Sequence, residues 1–399
     1  MVWFSFLLAL ILLLFIARKS LWLALIVSAF ILGIFNLGLP ELFSLIISTI
    51  TDPAILLLAL AVGLIPMIGG GLQVSGLLAD LVDNLQMKRQ VFLGFSPALM
   101  GLLPIPGGAL LSAPMLSKAG DDIPSSTYTA INVWFRHILI LIYPLGALLP
   151  CSKMANLNVY TIILYLLPAF SVLFSLGYFF FLYNIRGNMP SEKKSDLRKI
   201  IPPLFIIIIA PIIHIILSNA SIMDEISLLI GISTSLILTY FIGRLQTKSI
   251  KGIFIKMKPW KYFLIIIGVF LFLHIFKASN ISEEISKINI SRSFLIVFVG
   301  GFLGFVTGRV QLPIFILVPI FLVKFGNSEL TALSFAIMYV AVYIGYMISP
   351  VHPCVSVSVE YFRTSYKDFA GTLFFPSIIG LGLPFLASIL FLQGVSYGA

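Results

Sequence analysis

Polar residues are rare along this chain, and apolar positions gather in runs rather than in stripes. Runs at or near the roughly 20 residues that cross a bilayer as a helix lie at about 2–17, 21–37, 54–71, 126–149, 159–184, 200–217, 224–243, 261–277, 329–349 and 370–393. Two more, at about 90–117 and 293–323, are too long for one span. Each is interrupted by Gly, Pro and polar residues: GLLPIPGG at 101–108 and TGRVQLP at 307–313. Helix breakers at membrane depth are tolerated only where the freed backbone lines a cavity or is buried in protein. Each run therefore reads as a re-entrant hairpin, entering and leaving by one face. The pattern predicts an all-α polytopic membrane protein of about ten transmembrane helices plus two such hairpins.

Composition narrows the classes. Only 10% of the 399 residues are charged and 60% are hydrophobic, against about 25% charged in a soluble domain. That excludes a soluble enzyme, a disordered protein and a nucleic-acid binder. The opening stretch MVWFSFLLALILLLFIARKS lacks a basic start and a small-residue cleavage site, so it reads as a retained first span. The net charge of +10 then carries topology. With both termini outside a plasma membrane, 18 basic residues fall in inside loops and five (Lys153, Lys277, Lys287, Arg292 and Lys324) outside. Arg136 and Arg309 lie at membrane depth, which accounts for all 25.

The chain also reads as two halves. Residues 1–185 hold a hairpin at about 90–118 and a broken span at about 126–157; residues 200–399 hold a hairpin at about 293–324 and a broken span at about 329–362. The polar stretch 186–199 is a cytoplasmic linker. Five spans per half is an odd number, so the second half is inverted relative to the first. YPLGALLPCS (143–152) overlies YMISPVHPCV (346–355) without a gap, and Gly101 and Pro106 match Gly308 and Pro313. Inverted repeats with helices broken at corresponding places point to a secondary transporter whose substrate sits between the repeats.

These paired hairpins and Pro-broken spans resemble the ion-transporter superfamily of secondary carriers, and within it the family called domain of unknown function 401. The resemblance implies an elevator mechanism, in which hairpins and broken helices slide against a scaffold of the other spans. It also implies a homodimer, with the lipid bilayer and a small-molecule or ion substrate as partners and no nucleic acid. The Ser-Asn-Thr tips that hold sodium in the dicarboxylate branch are absent; Pro104 to Gly108 and Arg309 to Gln311 stand there instead. No cofactor is expected beyond a coupling ion, for which Na⁺ and H⁺ both stay open.

Arg136 and His137 lie roughly 12 Å into their span at 1.5 Å per residue, and Arg309 lies at the second hairpin tip. Intramembrane ionisable groups are functional candidates by default. Two guanidiniums without a matching buried carboxylate favour an anionic substrate; alternatively, Arg136 ties helices together through freed carbonyls. His352, in the break Ser349-Pro350-Val351-His352-Pro353, can bind substrate, shuttle a proton or cap a half-helix. Pro106, Gly107, Gly108, Ser112, Asn132, Gln311, Pro313 and Ser349 complete the expected substrate-binding set. Helix-to-helix hydrogen bonding is the competing role for the polar members. Cys151 and Cys354 occupy equivalent positions, where packing outweighs a metal or redox role, and no metal ligand is predicted.

His214 and His274 read as interfacial, and Glu360 either as the one acid within a span or as a partner of Arg363 near the inner surface. Gly300, Gly304 and Gly308 give one hairpin arm a smooth face. Segments 44–53 and 249–260 read as helices lying in the membrane interface. No H-E-x-x-H, G-x-S-x-G, intramembrane aspartate pair or nucleotide loop occurs, so neither an enzyme nor an ATP-driven pump is expected. The expectation is a secondary active transporter of a small anionic solute. The alternatives are a channel or pore built on the hairpins, or a carrier of a cation or neutral solute.

Overall fold

Prolines and short polar caps set where the helices begin and end. The computed structural model describes residues 2–84, 87–102, 108–120, 122–189 and 196–392. The first half runs α1 (Val2–Ala17), α2 (Leu21–Asn36), α3 (Leu39–Thr51), α4 (Pro53–Val74), α5 (Leu77–Asp83), α6 (Arg89–Leu102), α7 (Gly108–Ser117), α8 (Ser125–Ile138), α9 (Leu148–Met154) and α10 (Val159–Gly177). The second runs α11 (Leu197–Asn219), α12 (Asp224–Ile242), α13 (Thr247–Met257), α14 (Pro259–Ala278), α15 (Ile281–Lys287), α16 (Gly300–Thr307), α17 (Gln311–Phe325), α18 (Ala332–Met347), α19 (Pro353–Tyr361) and α20 (Tyr366–Leu392). Single π-helical turns extend α10 through Tyr178–Leu182 and precede α16 at Phe294–Val299. Among the described residues the protein is all-helical, with the architecture of a multi-pass membrane protein.

Helix for helix, the second half repeats the order of the first, and the packing between halves is exchanged in pairs. α2 packs on α14 as α12 packs on α4, and α3 packs on α14 as α13 packs on α4. Likewise α7 meets α19 as α17 meets α9, and α10 meets α18 as α20 meets α8. The principal contacts also sort the chain into two bundles. Helices α1–α4 and α11–α14 pack among themselves, as do α6–α10 and α16–α20, and α14 reaches across to α9 and α17.

Six described helices (α4, α10, α11, α12, α14 and α20) are long and apolar enough to span a membrane, fewer than the ten expected. The first two runs are themselves short, and the helices that fill them, α1 and α2, have 16 residues each, roughly 24 Å. The run at 126–149 breaks where α8 stops at Ile138, and after one 3₁₀ turn at Leu139–Leu141 the chain turns before α9. Outward-facing Phe4, Leu7, Ile11 and Phe15 on α1 are exposed, as a lipid-facing surface requires. The inward stripe of that helix is Ser5, Ala9, Leu13 and Ala17.

Both hairpins return to where they began. Arms α6 and α7 have 14 and 10 residues, roughly 21 and 15 Å, short of a hydrocarbon core of about 30 Å. Arg89 at the start of α6 is ion-paired with Asp122, just past the end of α7. In the second hairpin Arg292 pairs with Glu329 and lies 5.6 Å from the Phe325 ring. The first tip, 103–107, lies outside the described residues, and so do residues 190–195 of the expected linker.

The two amphipathic helices fall a few residues from their expected limits. α3 covers 39–51 and α13 covers 247–257, because each hands over to a helix with proline in its first position, Pro53 and Pro259. The Asp52 carboxylate accepts from the Ala54 and Ile55 amides at 2.8 and 3.2 Å, supplying partners for free N–H groups at the start of α4.

Candidate functional site

The hairpin arms and broken spans meet at one buried cluster. Arg136, near the C-terminal end of α8, is 5% exposed. Its Nη1 donates to the Gly108 carbonyl at 2.9 Å and to Ser112 Oγ at 3.3 Å. Arg136 is therefore seated on the first residue of α7. A Cβ at position 108 would overlap the guanidinium, so only glycine permits this approach. Ser112 donates to Asn132 Oδ1 at 2.7 Å, Asn132 Nδ2 donates to Ser358 Oγ at 2.9 Å, and Ser358 donates to the Cys354 carbonyl at 2.7 Å. This polar chain links α7, α8 and α19 through apolar surroundings. Ser112 and Asn132 thus join helix to helix through hydrogen bonds.

His137 is 2% exposed, and its Nδ1 lies 2.6 Å from the Val133 carbonyl. Since a carbonyl only accepts, Nδ1 carries the proton and Nε2 keeps its lone pair. The His137 ring centroid stands 4.7 Å from that of His352, and Tyr346 stacks on His352 at 4.0 Å. His352 is 1% exposed and its Nδ1 has no hydrogen-bond partner. It occupies the N-cap position of α19 without capping that helix through its side chain. Cys354 completes the group: one donor atom from each of His137, His352 and Cys354 lies within 4.8 Å of the others. The Arg136 guanidinium reaches the same thiol.

The second hairpin approaches from the other side. Gly308 ends α16 with φ of 58°, a left-handed conformation that favours glycine. A Cβ there would lie 2.8 Å from the His352 amide nitrogen. Ser349 donates to the Phe305 carbonyl of α16 and accepts from the Val351 amide at 3.3 Å. It therefore fastens the break to the hairpin arm. Gly304 also lies against α18 backbone, whereas Gly300 makes ordinary contacts, so the smooth face is used mainly at its tip end.

Arg309 is part-buried and faces Tyr262 of α14 and Tyr346. Gln311 begins α17 half-buried, and Pro313 is buried in its first turn. Neither Arg136 nor Arg309 makes an ion pair among the described residues. The expected residues Pro106 and Gly107 lie outside the described residues.

Several sequence expectations change. His214 is 1% exposed and belongs to a polar group: Nε2 faces Asp224 at 3.0 Å and Nδ1 faces the Tyr160 hydroxyl at 2.8 Å. Lys153 at the end of α9 joins this group, pairing with Asp224 at 2.5 Å and Glu225 at 2.6 Å. Glu360 is exposed and makes no ion pair with Arg363 among the described residues. Cys151 is fully buried away from the cluster, while Cys354 is only partly covered. Tyr339 and Tyr343 on α18, outside the expected set, have buried and unpartnered hydroxyls. Their spacing with Tyr346, at i, i+4 and i+7, is the signal that one helix face is lined with phenols.

A family model described as a protein of unknown function (DUF401) matches residues 2–391. No curated protein matches the chain. Among solved structures, the YdaH transporter of Alcanivorax borkumensis, reported as having an unusual topology, is similar over 99% of this chain and 100% of that one, with a TM-score of 0.58 and 12% identity. At that identity the likeness is one of fold.

Proposed function

This chain belongs to the DUF401 family, and we propose that it is a secondary active transporter rather than an enzyme, moving a small anionic solute by an elevator mechanism. Its two repeats, 1–185 and 200–399, are inverted about an axis in the membrane plane. The packing supports this reading: contacts between halves are exchanged in pairs, as across a two-fold interface. Helices α6–α10 and α16–α20 form the moving unit, carrying both hairpins and both broken spans, while α1–α4 and α11–α14 form the scaffold. The chain shares its fold with a transporter, which supports the transport reading.

One observation carries the reading. Both hairpins and both broken spans converge on a buried group holding Arg136, with Arg309 close by, and no carboxylate among the described residues neutralises either guanidinium. Uncompensated positive charge at membrane depth costs at least about 2.5–3.5 kcal/mol on insertion scales. A bound anion offsets that cost and gains charge-assisted hydrogen bonds. The substrate therefore sits between α7–α8 and the α16–α18 junction.

A thermal-shift screen of the purified protein against small carboxylates, inorganic anions and Na⁺ tests this, since a ligand of the folded state raises the apparent Tm by mass action. At least one anion should raise it in a concentration-dependent way. Stabilisation only by cations or neutral solutes would replace the anionic reading.

A further inference from the structure

We propose that His137, His352 and Cys354 form a binding site for a thiophilic monovalent cation of the Cu(I) class, bridging the two broken spans. The inference stands on the donor set and is independent of the anionic-solute reading.

Three observations carry it. The donor atoms come from α8 (His137), the α18–α19 break (His352) and the first turn of α19 (Cys354), yet lie within 4.8 Å of one another. Bonds of about 2.0–2.3 Å to nitrogen and sulfur put donors in a three-coordinate site roughly 3.5–4 Å apart, so closure needs about an ångström of movement. Secondly, His137 already has the arrangement of a metal-binding histidine: Nδ1 is held on the Val133 carbonyl at 2.6 Å, which fixes the ring and leaves Nε2 to ligate. Thirdly, His352 Nδ1 is an orphaned polar atom in a side chain 1% exposed. Buried polar atoms are nearly always satisfied, and a metal ion supplies the partner that protein does not.

Charge selects the ion. A thiolate with two imidazoles suits Cu(I) or Zn(II). Arg136 already places one positive charge against the thiol, and no acidic side chain belongs to the group. When a monovalent ion binds, the S–H bond breaks, an S–metal bond forms and the proton leaves to water. One positive charge replaces another, and the net charge of the site is unchanged. A divalent ion would add a charge beside an unpaired guanidinium.

The test is anaerobic titration of the full-length protein in detergent with Cu(I), in competition with a chromogenic chelator, and with Ag(I) as a redox-inert probe. The wild type should take up one equivalent. Cys354→Ser should weaken binding at least 100-fold, and Cys151→Ser should leave it unchanged. Equal affinity in Cys354→Ser, or an equal loss in Cys151→Ser, would overturn the site; tighter binding of Zn(II) than Cu(I) would overturn the charge argument. X-ray absorption of the copper-loaded wild type needs no variant. One sulfur and two nitrogens should surround the metal, and a shell without sulfur would refute the assignment. Because these assays read binding alone, their failure leaves the transport reading untouched.

Discussion

Arg136 is a buried cation and Arg309 a part-buried one, and the two differ in kind. Arg136 already donates to Gly108 and Ser112, so it holds α7 against α8 as well as supplying charge. Arg309 is part-buried and within electrostatic reach of the Tyr262 and Tyr346 phenols. We expect Arg309→Gln to leave the melting temperature within a few degrees of wild type while weakening substrate affinity at least about tenfold, or 1.4 kcal/mol. Arg136→Gln should lower both. Isothermal titration with an anion found by the thermal screen, beside thermal denaturation, separates the two; unchanged affinity in both variants would discard the anion assignment. The polar chain makes its own prediction. Asn132→Leu removes the bond that Ser112 donates and the one that Ser358 accepts, while Ser358 keeps the Cys354 carbonyl and Ser112 keeps Arg136, so the cost is about 0.5–1.5 kcal/mol for each lost hydrogen bond. Its Tm should fall, whereas Gln311→Leu should change it little. These residues were legible in the sequence because polar side chains stand out in apolar runs. Tyr339 and Tyr343 were not, because tyrosine blends into such runs and only the fold shows that their hydroxyls lack partners; Cys354 stood out by its match to Cys151, but its approach to His137 and His352 depends on the fold.

At the scale of elements, each hairpin is closed by an arginine at its start and an acid beyond its end. The Arg89 guanidinium, hydrogen-bonded to Asp122, holds that carboxyl below the ordinary aspartate range. A group with a lowered folded pKa stabilises above its unfolded value and loses that stabilisation as pH falls through the lowered one. Protection of the segment after α7 against hydrogen exchange, taken relative to the intrinsic rate at each pH, should therefore fall on acidification below about pH 4, and Asp122→Asn should lower it at neutral pH and remove the acid dependence. Protection that does not change with pH in the wild type would show that the pair does not close the hairpin. Hairpins and breaks were legible from Pro and Gly inside overlong apolar runs. Helix ends were not: Asp52 with Pro53 stops α3 and starts α4, and α8 ends inside an uninterrupted apolar stretch. Backbone capping and tertiary contact decide such limits, and hydropathy does not register them.

At the scale of the whole molecule, two bundles touch through α14 and through a polar group in which Lys153 of α9 meets Asp224 and Glu225 of α12, and Tyr160 of α10 meets His214 of α11. If the bundles slide, this group must part. Lys153→Met should then shift the resting population toward the other conformation, seen as a changed distance distribution between spin labels on α9 and α12; an unaltered distribution would mean that the group is no latch. The order of elements was legible in the sequence, since both halves carry the same succession of runs. The crossing of α7 onto α19 and of α17 onto α9 was not, because it depends on how the halves face each other. The central claim is that re-entrant hairpins sit in inverted halves. Single cysteines in place of Lys88, Lys118, Lys287 and Lys324, in a background lacking Cys151 and Cys354, test it by membrane-impermeant labelling of intact cells and of inverted vesicles. Positions 88 and 118 should both react only from the cytoplasm, and 287 and 324 only from outside. Opposite-side labelling within either pair, or all four on one side, would contradict it.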